Sequence, residues 1–208
     1  KRDELETFLQ EVCATSEKLL FEEKDLGTEI RSPITFSLLK GGVSSGIKFT
    51  GIPGGHEFNS FILATLQLGG SDLKLDSGIK SLINDIEDKL RFEIFISLDC
   101  HICPDVVQAL NKFAILNENI ACEMIDGGLF PEEVEEKNIQ GVPTIFLNGS
   151  FFSSGRTDTS KIINKLKTVN SNIGKGTQIN LPLQDTVVIG GGPAGISSAI
   201  YLARKGLK

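Results

Sequence analysis

Phe92-Glu93-Ile94-Phe95-Ile96-Ser97-Leu98-Asp99-Cys100-His101-Ile102-Cys103-Pro104-Asp105-Val106-Val107 is the stretch on which the reading of this chain turns. Phe92 to Ile96 is β-branched and aromatic, the composition of a buried strand. Pro104 and Asp105 suit the first turn of a helix. Val106, Val107, Leu110, Phe113 and Ala114 then recur at helical spacing. The two cysteines therefore stand where a strand gives way to a helix. A thiol there faces unpaired backbone N–H groups and the positive end of the helix dipole, which favours the reactive thiolate. With two residues between them, the thiols can reach each other and cycle between dithiol and disulfide. Zinc is the rival for such a pair, but a structural zinc site takes four ligands. Cys13, Cys122 and His56 are isolated in sequence and His101 sits between the two thiols, so no metal site is expected.

Working outward, the chain has 208 residues, enough for one large domain or two small ones. A formal charge of −6 argues against a nucleic-acid partner. No apolar run is long enough to span a bilayer and no secretory leader is evident, so the expected location is the cytoplasm and no membrane partner is expected. Four cysteines in this length do not make a disulfide-rich secreted framework.

Upstream of the cysteines, the spacing predicts an N-terminal helix carrying Leu5, Phe8, Leu9 and Val12. Strands over 34–39 and 46–50 are separated by Lys40-Gly41-Gly42. A helix follows from Glu57 and another carries Leu82, Ile83, Ile86 and Leu90. Downstream come a strand near 121–125, a short acidic helix over 131–137, strands 144–147 and 150–152 around Asn148-Gly149, and a helix over 159–166. The acidic run Glu132-Glu133-Glu135-Glu136 reads as a solvated helix face. An internal repeat is visible. Ser32-Pro33-Ile34-Thr35-Phe36 leads through a glycine turn and Ser44-Ser45-Gly46 to a helix. Val142-Pro143-Thr144-Ile145-Phe146 leads through Asn148-Gly149 and Ser153-Ser154-Gly155 to a helix.

Pro143 lies about 40 residues beyond the cysteines. It is read as a cis proline facing the disulfide, with a strand-edge proline as the alternative. Strand, CxxCP, helix, Gly141-Val142-Pro143, strand hairpin and helix together resemble the thioredoxin/glutaredoxin superfamily.

After an Asn-, Ser-, Gly- and Lys-rich stretch, Thr186-Val187-Val188-Ile189 runs into Gly190-Gly191-Gly192-Pro193-Ala194-Gly195 and a helix. A GxGxxG after a strand and opening a helix lets a pyrophosphate approach the helix N-terminus. Gly190, Gly192, Pro193, Ala194 and Gly195 are the candidate cofactor-binding residues, in the form typical of FAD proteins. About 24 residues hold only the first strand and helix of such a domain, so the chain is expected not to hold FAD unaided.

Ser97-Leu98-Asp99-Cys100-His101-Ile102-Cys103-Pro104-Asp105-Val106-Val107-Gln108-Ala109-Leu110-Asn111 most specifically, together with Gly51-Ile52-Pro53-Gly54-Gly55-His56-Glu57-Phe58 and Ile125-Asp126-Gly127-Gly128, resembles the N-terminal region of the bacterial alkyl hydroperoxide reductase flavoprotein family. Ile102 departs from the polar residue expected there. The resemblance implies an α/β architecture of two fused thioredoxin-like folds, mixed sheets flanked by helices. These span 1–88, without a CxxC, and 89–167, with it. A flexible linker over 168–184 and the first β-α unit of a Rossmann-type FAD domain over 185–208 follow. About 16 linker residues would span on the order of 20–25 Å. The implied electron route runs from NADH through FAD and a second CxxC, both in the full-length protein, to Cys100–Cys103 and then to a two-cysteine peroxiredoxin. The parent is expected to be a homodimer. A free-standing tandem protein disulfide oxidoreductase is the alternative, and would have no use for residues 187–195.

Within that scheme Cys100 is the attacking thiolate, as the earlier and more exposed thiol, and Cys103 resolves the mixed disulfide. The resemblance places Glu57 against the CxxC as the proton-exchanging acid; otherwise it is an ordinary helix-start glutamate. His101 either tunes the thiolate or is solvated. His56 reads as a turn residue, and Cys13 and Cys122 as packed small hydrophobes.

Overall fold

The computed structural model describes residues 1–24, 27, 30–169 and 185–207. Residues 1–174 form one compact unit and residues 175–208 a second.

The first unit is a mixed α/β fold of the thioredoxin type. Its order is α1 (Arg2–Ala14), β1 (Thr35–Lys40), β2 (Val43–Thr50), α2 (Phe58–Leu68), α3 (Ser77–Asn84), β3 (Leu90–Ile96), α4 (Cys103–Leu116), β4 (Ile120–Asp126), α5 (Pro131–Glu136), β5 (Thr144–Leu147), β6 (Ser150–Ser154) and α6 (Thr159–Val169). The six strands form one sheet in the order β1-β2-β4-β3-β5-β6. A central parallel pair, β4 and β3, is flanked by two antiparallel hairpins, β1–β2 and β5–β6. Each hairpin is followed by a helix, which is the recurrence seen in the sequence. Asn148 and Gly149 both take positive φ at the second hairpin turn, the conformation such a two-residue turn requires. β2 pairs in parallel with β4, so the two stretches 1–88 and 89–167 share a single sheet.

Strand β3 is buried along most of its length because both faces of the sheet are covered at its centre. Phe92, Ile94 and Ile96 face the larger core with Val106, Val107, Leu110 and Phe113 of α4 and Phe61 of α2. Phe95 points the other way, into a smaller cluster with Ile125 and Phe146, covered by Val134 of α5. Fully burying a side chain of this kind stabilises by about 1.5–3 kcal/mol, which is why the site rests on a rigid floor.

On the smaller-core face, Glu93 and Glu123 are register partners on adjacent strands. Two carboxylates directly opposite would repel. Arg31 neutralises them, pairing with Glu93, Glu123 and Glu133. Thr50 adds a hydroxyl donated to Glu123 at 2.6 Å. The acidic α5 is thus not wholly solvated: Glu133 is drawn in by Arg31, and by Lys137 at 3.8 Å.

In the second unit, α7 (Pro193–Arg204) forms as expected. Thr186 to Ile189 makes no ladder among the described residues, and Val187 and Ile189 are exposed. A strand is stable only with a partner to pair with. Of the expected 168–184 linker, Thr168 and Val169 belong to α6 and the rest lies outside the described residues.

Candidate active site

Cys100 and Cys103 are joined as a disulfide, with Cα atoms 5.5 Å apart. The helix starts at Cys103, later than the sequence suggests for the pair as a whole. Ile102 is its N-cap and Pro104 occupies the first turn, where a missing N–H costs nothing. Cys100 stands in the preceding turn, its N–H bonded to the Ser97 carbonyl at 3.0 Å. Cys103 is fully buried, whereas Cys100 is half-exposed.

The Val142–Pro143 bond is cis. The Val142 carbonyl is turned toward the Cys100 sulfur, 3.9 Å away. Pro143 has no N–H, and its carbonyl accepts from Gly155 N at 2.8 Å, tying the end of β6 beside it.

The loop leading to α2 packs against the turn that precedes Cys100. Gly55 has φ +52°, and a Cβ there would lie 2.6 Å from the Leu98 carbonyl oxygen, so only glycine lets the two loops meet. His56 N donates to that carbonyl at 3.3 Å. The His56 and His101 rings touch, centroids 4.2 Å apart and tilted by 58°. The turn residue His56 is therefore a direct neighbour of the CxxC, a contact that sequence separation hid.

Glu57 has no exposure, and neither carboxylate oxygen has a hydrogen-bond partner. It lies in the short turn that packs on α4 ahead of α2. Burial pushes its carboxyl up to about 7, opposed by the nearby Ser60 hydroxyl, which approaches the carboxylate without reaching hydrogen-bond geometry. An isolated buried carboxyl of this kind is held neutral at lower pH and charges near neutrality, which suits proton exchange with a thiol. Ser60 in turn accepts from Gln108 of α4 at 3.4 Å, linking α2 to the cysteine helix.

Asp126, from the Ile125-Asp126-Gly127-Gly128 stretch, joins the surroundings of the site although the sequence assigns it no role. It ends β4 opposite Ile96, is 9% exposed, and its carboxyl is raised by burial despite the bond from Gly128 N. With Leu98 and Ile52 it lines a small cavity behind the loop that carries Cys100. Its sequence signals are its place in the Ile125-Asp126-Gly127-Gly128 run and at the C-terminal end of a parallel strand. Of the remaining cysteines, Cys122 is buried and donates to Asn111 Oδ1 at 3.0 Å, while Cys13 is half-exposed on α1. Among the described residues no group of three or more His, Cys, Asp or Glu is arranged to hold a metal ion, and no helix is long and apolar enough to cross a membrane.

The candidate cofactor residues lie in the second unit. Gly192 caps α7 and Pro193 opens it. Gly190 has φ +120°, and a Cβ on Gly195 would sit 2.1 Å from the Gly190 carbonyl oxygen. The turn is thus drawn tight against the helix, and Gly191 and Gly192 leave its outer side open. That fits a pyrophosphate of FAD, bound through backbone N–H groups at the helix start.

Comparison with known proteins agrees with this architecture. The thioredoxin domain family matches residues 90–168. The chain is 43% identical over its whole length to the F component of alkyl hydroperoxide reductase from Pseudomonas aeruginosa, of which it covers 39%. It is 44% identical to a Bacillus subtilis protein named NADH dehydrogenase, over 96% of this chain and 38% of that one. The chain therefore spans about two fifths of the length of these curated relatives. Among solved structures, the crystal structure of the NTD_N/C domain of alkylhydroperoxide reductase AhpF from Enterococcus faecalis superposes with a TM-score of 0.73. The identity is 36%, covering 78% of this chain and 83% of that one.

Proposed function

We propose, from the premise that the chain belongs to the AhpF family of alkyl hydroperoxide reductases as its N-terminal thioredoxin-like region, that it relays electrons to a peroxiredoxin through Cys100 and Cys103. The observation that carries this is the asymmetry of the disulfide. One sulfur is half-exposed beside the carbonyl of Val142, the residue before the cis proline, and the other is sealed at the head of a helix with a neutralisable buried carboxyl on the adjoining turn.

In the dithiol state the Cys100 thiolate attacks a sulfur of the partner disulfide. An S–S bond forms between the two proteins and the partner's first thiolate leaves. The backbone around Val142 offers an incoming strand its hydrogen-bonding groups and so aligns the attack. Cys103 then loses its proton, for which Glu57 is the acceptor, and attacks Cys100. The intramolecular disulfide re-forms and the partner leaves as a dithiol, two electrons richer. In this scheme residues 1–88 supply the acid and the His56 contact, and residues 89–167 supply the cysteines and Pro143.

When bound, FAD supplies the two-electron link between NADH and a dithiol. Gly190, Gly192, Pro193, Ala194 and Gly195 would hold its pyrophosphate. The reductant for Cys100–Cys103 is accordingly a flavin domain of the same parent chain, which we read as a cytoplasmic homodimer.

A coupled assay tests the reading. It contains this chain, a thioredoxin-reductase-type flavin domain with NAD(P)H, a two-cysteine peroxiredoxin and hydroperoxide. Turnover should require the chain and vanish in Cys100→Ser, while Cys103→Ser should accumulate a mixed disulfide visible by non-reducing mass analysis. Reduction of insulin without peroxiredoxin turnover would favour a general disulfide oxidoreductase instead.

A further inference from the structure

Beside the cysteine helix runs a cleft of about 420 Å³ that the relay chemistry does not use. Asp105, Gln108 and Lys112 of α4 form one wall, and Arg156 and Asp158 of the turn before α6, with Lys161 in its first turn, form the other. The cleft is anchored to the site at two points. Its first wall belongs to the helix that Cys103 opens. Its second begins one residue after Gly155, whose N–H is bonded to the cis-proline carbonyl. Arg156 therefore follows directly on the residue tied to Pro143.

The charge here runs against the sign of the molecule. The chain carries a formal −6, yet three cations line the cleft against two carboxylates. Asp158 is already committed, capping Lys161 N at 2.9 Å and pairing with the Lys161 side chain at 3.7 Å. Asp105 meets Arg156 only at 3.9 Å, with side chains 60% and 76% exposed, a contact of the kind that contributes little and exchanges readily. Lys112 is half-buried and has no ion-pair partner among the described residues. The cleft thus holds one unpaired cation and a second in a weak pair, both positioned to meet incoming carboxylates.

We propose that this cleft selects disulfide partners carrying acidic residues on the flank of the target cysteine that lies along α4 and the start of α6. Lys112 and Arg156 are the specificity determinants. The inference rests on the relay reading of Cys100 and Cys103 and names what that relay prefers to reduce.

The test uses the reduced chain and two synthetic peptide disulfides, identical except for two glutamates or two lysines on one flank of the cysteine. At low salt the acidic peptide should oxidise the reduced chain with a second-order rate constant about 10-fold above that of the basic one. The ratio should fall toward one near ~1 M salt. It should also fall toward one in the Lys112→Gln/Arg156→Gln double variant, and be largely kept in Arg156→Lys. Because the ratio is taken within one protein, a general loss of activity cancels. A wild-type ratio near one, or a ratio that survives the double substitution, would overturn the proposal. A wild-type chain that reduced neither peptide would instead sink the relay reading beneath it, and this proposal with it.

Discussion

Glu57→Gln isolates the energetic role of the buried carboxyl. In the folded chain that group titrates at about 7, against an ordinary value of 4.5. Below 4.5 the side chain is neutral in both states and exerts no pH-dependent effect. Between those values the folded state holds a proton that the unfolded state has released, so stability falls as pH rises. Above 7 the penalty is complete. A separation of about 2.5 pH units corresponds to about 3 kcal/mol lost between pH 4.5 and pH 8. Gln has nearly the same shape and cannot ionise, so the variant should lack this component altogether. Its neutral amide meets the same unpartnered surroundings as the protonated acid, so the two proteins should be closest in stability near pH 5. At pH 8 the variant should be the more stable by about 3 kcal/mol. The assay is urea unfolding of the disulfide form at a series of pH values. It is followed by far-UV circular dichroism because the chain has no tryptophan. The quantity compared is the difference between pH 5 and pH 8 within each protein, which cancels titrations common to both. Equal differences in the two proteins would refute the reasoning: Glu57 would then be solvated or hydrogen-bonded in solution.

Arg31→Met should cost about 2–3 kcal/mol, short of the ~3–5 kcal/mol of a wholly unpaired buried charge, because Glu93 and Glu123 would keep only the longer contacts to Arg91 at 3.8 and 3.5 Å and to Lys137 at 3.9 Å. Urea midpoints would show it, and a loss under ~1 kcal/mol would mean the carboxylates are hydrated. Gly55→Ala asks for a positive φ and a Cβ 2.6 Å from the Leu98 carbonyl. It should lower stability by about 1–3 kcal/mol and slow disulfide exchange, since the displaced loop carries His56 and Glu57. An unchanged melting temperature and exchange rate would show that the two loops are not in contact. Asn117→Ala should cost about 2 kcal/mol, because the Asn117 amide donates to buried carbonyls of Ile83 and Ile86 at 2.7 and 2.8 Å. Thermal unfolding measures this directly.

The features legible in the sequence are those written in local residue order. The CxxC between strand and helix, the Gly-Val-Pro ahead of a hairpin and the Asn-Gly turn each need only a few adjacent residues. The structure contains all of them, with Pro143 in the cis form. Features set by register are not legible. Arg31 carries no local signal because its value depends on Glu93 and Glu123 falling opposite each other across two strands. His56 reads as a turn residue because its partner, His101, is far along the chain and meets it only through the Gly55–Leu98 contact. Thr186 to Ile189 has the composition of a strand but lacks a ladder among the described residues. Propensity supplies the preference for extended backbone, and pairing supplies the stability.

The sheet order also bears on what could be taken apart. β4 is held by β3 on one side and by β2 on the other, so the seam between the two halves is itself a row of parallel strand bonds. A cut between α3 and β3 would leave one piece with the bare edge of β2 and another with the bare edge of β4. The buried carboxyl would travel on the first and the disulfide on the second. Such pieces are natural partners for fragment complementation: separately each would expose an unpaired edge and an uncovered core face. Mixed, they would rebuild the site at a rate set by their concentrations, making thiol exchange a reporter of reassembly.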